Sequence, residues 1–204
     1  PKEELKREKF NKNIFDKDKL QREVEFTYKH LIEQQMNNSC KKNKETILKG
    51  FKKINEELAN EKMVVTHRDF HSRNIMVTND ELAVVDFQDA HLGIPQYDLV
   101  SLLEDSYYEP SRENRKLLKK YYWERSNILK KWQTKDNFEY FYDLSALQRV
   151  FKAMGSFSYL YLEKQKPFYL RHIGFAFEKI RHIFLQYPHF NEMRKRLAEI
   201  FYAN

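Results

Sequence analysis

The sequence predicts an α+β chain that is mostly helical, with one small β-hairpin set among the helices. Three observations carry this. The 204 residues include only four Gly and five Pro and are rich in Lys, Glu, Leu and aromatics, a balance that favours helix over sheet. Apolar residues recur at helical spacing over most of the length. The only convincing strand signals, short apolar runs, fall in residues 63–85, where Asn79-Asp80 separates two of them as a turn does in a hairpin.

Taken in order, residues 1–15 read as a loose polar segment, and 16–204 as the folded part. Leu20, Val24, Tyr28, Leu31 and Ile32 predict a helix from Asp16 to Met36, with Asp16 or Asp18 available to cap it. Asn37 to Lys44 reads as a loop. Ile47, Leu48, Phe51, Ile54 and Leu58 share one face of a second helix, Glu45 to Asn60. Met63-Val64-Val65-Thr66 is a short strand, and Asn74 to Thr78 with Leu82 to Val85 forms the hairpin. A loop follows to Pro95. Helices then run from Tyr97 to Tyr107, Ser111 to Lys131, Asp136 to Glu163, Phe168 to Gln186 and Phe190 to Tyr202. Pro110, Pro167 and Pro188 fall between them, where helices break. The aromatics Phe151, Phe157, Tyr159 and Tyr161 read as helix core rather than a stacking platform.

Composition narrows the function. The net charge of +7 and a pI near 9.2 suit anionic partners, but the basic residues are interspersed with acidic ones, as on an ordinary solvated surface. A single cysteine, Cys40, excludes an internal disulfide and suits a reducing cytoplasm. No run reaches the roughly 18 apolar residues of a membrane span. A specific nucleic-acid site is not expected, because helical spacing turns most of the aromatics inward instead of beside surface Lys and Arg.

The chemistry concentrates in His67-Arg68-Asp69-Phe70-His71-Ser72-Arg73-Asn74 and Val84-Val85-Asp86-Phe87-Gln88-Asp89. Phosphoryl transfer needs an oriented acceptor hydroxyl and a cation on hard oxygen ligands to neutralise the phosphates. A carboxylate after one strand, Asp69, can serve the hydroxyl. The amide oxygen of Asn74 and the carboxylate of Asp86 can meet one metal, because the hairpin folds the residues between them back on themselves.

These segments resemble the catalytic loop and the Asp-Phe-Gly metal motif of kinases. The pattern H-x-D-x-H-x-x-N, with His71 two residues after Asp69, resembles that of the aminoglycoside phosphotransferase and choline kinase superfamily. Within it, His67 to Met76 and Asp86-Phe87-Gln88-Asp89-Ala90 are most similar to bacterial cell-wall sugar kinases, which phosphorylate the anomeric hydroxyl of N-acetylmuramate and N-acetylglucosamine. The resemblance continues through Tyr97 to Asp105, Asp143 to Arg149 and Lys166 to Leu170, and so covers the chain from about Leu20 onward.

The resemblance implies the C-terminal lobe of a protein-kinase-like fold, ATP and Mg2+ as cofactors, and a small-molecule acceptor, a sugar first. It implies Asp69 as catalytic base or hydroxyl orienter and Asn74 and Asp86 as metal ligands. His71 occupies a phosphate-contacting position, and Arg73 can meet the transferred phosphate, a substrate carboxylate or a neighbouring acid. His67 and Asp98 support the loop, Asp89 can assist metal binding or serve as a hydrogen-bonding loop residue, and Asp105 and Arg149 lie on helices that either face the acceptor or are exposed surface. Gly50, Gly93, Gly155 and Gly174 are too scattered for a phosphate cradle, so the N-terminal lobe that covers ATP is expected to be missing and the chain alone inactive or nearly so. The other readings are a choline-, fructosamine- or aminoglycoside-type kinase, a pseudokinase or regulatory binding module, and a basic nucleic-acid binder.

Overall fold

The computed structural model describes residues 13–79 and 81–202. These are mostly helical, with two small antiparallel ribbons, and fall into two compact units. One takes the described residues up to Asp16 together with Leu58–Ala146; the other takes Lys17–Glu57 and the chain from Leu147 onward.

The second unit is helical throughout. Helix α1 (Lys17–Thr27) buries Leu20, Val24 and Thr27 and continues into a π-helical stretch, Tyr28–Gln35, that buries Tyr28, His30, Leu31 and Ile32. Helix α2 (Lys41–Ala59) starts four residues earlier than the sequence pattern suggests; Asn38 Oδ1 accepts from the Cys40 N–H (3.3 Å) just ahead of it. The later part of α6 (Lys135–Leu162) brings Phe151 flat against Phe51, ring centroids 4.4 Å apart. Phe151 and Phe157 are core, as their spacing predicts, whereas Tyr159 and Tyr161 are half-buried. Gly155 is required here: a Cβ at this position would come within 2.5 Å of the Thr27 Cα. Helices α7 (Arg171–Phe184) and α8 (Asn191–Tyr202) complete the unit, each entered through a short 3-10 turn that begins at a proline, Pro167 or Pro188.

The first unit carries the strands. The hairpin forms as predicted, with β2 (Ile75–Thr78) against β3 (Glu81–Val84) in the register Ile75↔Val84 to Thr78↔Glu81. Asn79 takes the positive φ of 47° that a tight turn needs and that Asn tolerates. The second ribbon was not foreseen. Strand β1 (Val64–Thr66) pairs with β4 (His91–Gly93), inside the stretch expected to be loop, and Thr66 Oγ1 donates to the His91 carbonyl at 2.9 Å. Residues 13–15 join this ribbon: Leu92 N donates to Asn13 O and Phe15 N to Leu92 O, at 2.8 and 2.9 Å. The end of the segment expected to be polar and loose is therefore built into the fold, with Phe15 only 3% exposed and stacked on Tyr97 at 4.4 Å. The remainder of that segment, residues 1–12, lies outside the described residues.

Helix α3 (Tyr97–Leu103) stops short of the expected Tyr107, because Asp105 Oδ1 accepts from the Tyr107 N–H (2.9 Å) and replaces a helical bond with a local turn. The helix expected at 111–131 is two: Ser126 caps a new one, dividing α4 (Arg112–Arg125) from α5 (Asn127–Trp132). No described helix is long and apolar enough to cross a membrane.

Candidate active site

Strand β1 ends at Thr66, and the chain enters a polar loop that must bind its backbone N–H groups to something other than a ladder. Asp98, in the first turn of α3, supplies both acceptors: Oδ2 takes the His67 N–H at 2.7 Å and Oδ1 the Arg68 N–H at 3.0 Å. The second bond holds Arg68 at a φ of 76°, a left-handed conformation that costs a non-glycine residue of the order of 1–2 kcal/mol. The Arg68 guanidinium reaches Asp89 at 3.1 Å, so the loop is tied to the segment after the hairpin as well. The His67 ring makes a second tie, its Nε2 lying 2.9 Å from the Val85 carbonyl oxygen, which places the ring proton on Nε2.

Beyond these anchors the loop folds on itself. Asp69 O accepts from the His71 N–H (3.0 Å) and from Asn74 Nδ2 (2.9 Å), and Asn74 N donates to His71 O (3.0 Å). Asp69 is thus fixed through its backbone, while its half-buried carboxylate makes no hydrogen bond or ion pair among the described residues. Asn74 spends its NH2 group on the loop and keeps its amide oxygen for another partner. Its carbonyl accepts the Val85 N–H at 3.0 Å, which extends the hairpin ladder by one pair. Asp86 follows directly, exposed and at a φ of 70°, with Gln88 Nε2 donating to its Oδ1. The ladder therefore brings Asn74 and Asp86 to one end of the ribbon although eleven residues separate them in sequence.

No three His, Cys, Asp or Glu side chains converge on a metal-sized point among the described residues. Magnesium does not need them. It takes one or two protein oxygen ligands and completes its shell with water and phosphate oxygens, so an amide oxygen and a carboxylate, both hard donors, suit it. A softer or all-protein metal site has no donor set here.

Asp105 is placed differently from the expectation. It lies past the end of α3, not on a helix, and is 2% exposed. Its Oδ2 accepts from both the Ser72 N–H (2.9 Å) and the Ser72 hydroxyl (2.6 Å), so this buried carboxylate holds the loop at residues 67–74. Arg73 forms no salt bridge to an acid among the described residues; its guanidinium carbon lies 3.6 Å from the centre of the Tyr107 ring. The His71 ring meets the same tyrosine edge-on at 5.8 Å. The first unit thus brings together His67, Asp69, His71, Arg73, Asn74, Asp86, Asp98 and Asp105. Arg149 is in the second unit, half-buried on α6. Sequence reasoning missed Ser72 and Tyr107. The available signal was Asp105 itself, which sits two residues before Tyr107.

A sequence model of the phosphotransferase enzyme family matches residues 15–127 of this chain. The chain belongs to that family. The match takes in the Asp98-braced loop and both ribbons, the hairpin among them. Among curated phosphotransferases, the N-acetylmuramate/N-acetylglucosamine kinase of Neisseria meningitidis serogroup B is 34% identical over 139 residues, which is 67% of this chain and 42% of that protein. The kinase of the same name from Pseudomonas putida is 29% identical over 150 residues, 72% of this chain and 44% of its own length. That of Pseudomonas aeruginosa is 28% identical over 143 residues, 67% of this chain and 41% of its own length. The resemblance seen in His67 to Met76 and Asp86 to Ala90 is borne out. The chain spans about two fifths of the length of these relatives.

Proposed function

We propose that this chain is the catalytic lobe of a magnesium-dependent small-molecule kinase, which moves the γ-phosphate of ATP to a hydroxyl of an N-acetylated amino sugar. One observation carries the reading: a single braced loop and one hairpin ladder join an unengaged Asp69 carboxylate to the Asn74 amide oxygen and the Asp86 carboxylate. The sugar is suggested by the relatives' names, and N-acetylglucosamine and N-acetylmuramate are the first acceptors to try.

In this reading Asp69 orients the acceptor hydroxyl and takes its proton as the bond to phosphorus forms. Asn74 and Asp86 hold Mg2+, which when bound neutralises charge on the phosphates. His71 faces the phosphates. Asp98 and Asp105 act on the loop backbone rather than on substrate. ATP also needs an N-terminal lobe to cover it; the short coverage of the relatives supports this, as does apolar surface on the hairpin, where Val77 and Leu82 are each 74% exposed. A cytoplasmic setting, where ATP is supplied, suits this reading.

Asp69→Asn tests the assignment. It keeps the shape of the side chain and removes the base, so kcat for sugar phosphorylation should fall roughly 10²–10⁴-fold while MgATP binding persists. Undiminished turnover by the Asn variant would refute it.

A further inference from the structure

Arg73 is the one charged side chain of the loop whose neighbour is a ring instead of an acid. The guanidinium lies flat enough on Tyr107 for its carbon to sit 3.6 Å from the ring centre, and no carboxylate among the described residues neutralises it. The support beneath is hydrogen-bonded. The buried carboxylate of Asp105 grips Ser72 through Oδ2, at 2.9 and 2.6 Å, and the Tyr107 N–H through Oδ1 at 2.9 Å. One carboxylate therefore binds both the residue before Arg73 and the backbone of the residue that carries the ring. Stacking on an aromatic occupies the face of a guanidinium and leaves its N–H edges in the plane, the arrangement that suits a bidentate oxyanion.

The anion served has two chemical sources, the phosphate being transferred and a carboxylate on the acceptor. Asn74 and Asp86 are held together by the hairpin ladder. Arg73 leans instead on the segment after α3, through Tyr107. In the reading above, magnesium held by Asn74 and Asp86 would already neutralise the phosphates, so a carboxylate on the acceptor is the anion left without a cation, and that favours the acceptor as the source.

We propose that Arg73, propped on Tyr107, is an acceptor-anion clamp that selects a sugar bearing a carboxylate over its neutral counterpart. Arg73 is the specificity residue and Tyr107 a positioning residue acting through it. The proposal rests on the phosphotransferase reading above and adds to it the class of the preferred acceptor.

The test measures kcat and KM of the natural protein with N-acetylmuramate as the acidic acceptor and N-acetylglucosamine as the neutral one, for wild type, Arg73→Gln, Arg73→Lys, Tyr107→Leu and Tyr107→Phe. Arg73→Gln should lower kcat/KM for the acidic sugar by roughly 10- to 100-fold more than for the neutral one, chiefly through the KM of the acidic sugar, since hydrogen bonds to charged groups have about that worth. Arg73→Lys, which keeps the charge without the fork, should recover only part of the selectivity. Tyr107→Leu should follow Arg73→Gln, and Tyr107→Phe, which keeps the ring, should follow wild type. Because Arg73 is exposed, its replacement leaves the core intact. An unchanged ratio between the two sugars would overturn the proposal, as would equal losses on both or a rise in the KM for MgATP, which would assign Arg73 to the phosphate. Failure of wild type to phosphorylate either sugar is a separate result: it would sink the kinase reading and the clamp with it.

Discussion

Two antiparallel ribbons of similar length flank the loop at residues 67–74, and they are built in opposite ways. The β1–β4 ribbon is covered on one face: Thr66, His91 and Gly93 are buried, and Phe15 packs on His91 and Tyr97, while Val65 points the other way and is 63% exposed. The β2–β3 ribbon is bare, with Val77 and Leu82 facing each other across the ladder in the open. The loop starts from the first and ends in the second. The covered ribbon is thus the anchor of the site, and the bare one carries the candidate metal ligands to where nucleotide would meet them. On the proposed reading, stability and function are divided between the two ribbons, and the division can be tested.

The largest effect should come from the covered ribbon. Phe15→Ala empties a site against His91, Tyr97 and Gly93 and should cost about 3–5 kcal/mol in urea unfolding. A loss below that of an ordinary surface substitution would show that the ribbon is not the anchor.

A smaller effect should come from alkaline pH. The Tyr122 hydroxyl donates to Pro95 O at 2.7 Å, just beyond β4, and burial together with the nearby Asp98 charge pushes its pKa above the usual 10.0. A raised folded-state pKa means that the folded chain holds this proton after the unfolded chain has lost it. The contribution is therefore complete below pH 10 and declines as the pH climbs from there toward the folded-state value, at up to about 1.4 kcal/mol per pH unit. Tyr28, pushed up to about 12 by burial, and Tyr142, raised by burial beside Glu104, act in the same direction from elsewhere in the fold. Tyr122→Phe should flatten the fall in urea midpoint above pH 10 without abolishing it. An identical slope in the variant would remove Tyr122 from the account.

The smallest effect belongs to the bare ribbon. Leu82→Ser should move the unfolding free energy of this chain by no more than about 0.5 kcal/mol, since the side chain is already in water. A loss of several kcal/mol would mean that the hairpin is packed in solution.

The same contrast explains what the sequence made legible. The hairpin was readable because its signal is local: two apolar runs and a turn dipeptide fix pairing and register within ten residues. The partner of β1 was not, because β4 lies 25 residues beyond it, consists of His-Leu-Gly, and pairs for reasons supplied by Phe15 and Tyr97 from two other parts of the chain. Helix ends were misjudged where a side chain replaced a backbone bond, at Asp105 and at Ser126. Asp69, Asn74 and Asp86 could be proposed from sequence because loop chemistry at fixed spacing survives in one dimension. Asp105 was expected on a helix and lies past the end of one, and Tyr107 was overlooked, because which way a side chain turns after a helix ends is decided by tertiary contacts.

The most direct test of the central claim is a calorimetric titration of MgATP into the natural protein and its Asp86→Ala variant, each with and without magnesium. Binding that requires magnesium in the wild type and loses that requirement, or disappears, in the variant is the expected result. Nucleotide binding that is indifferent to magnesium and equal in both proteins would contradict the assignment of Asn74 and Asp86 as the metal-holding end of the ribbon.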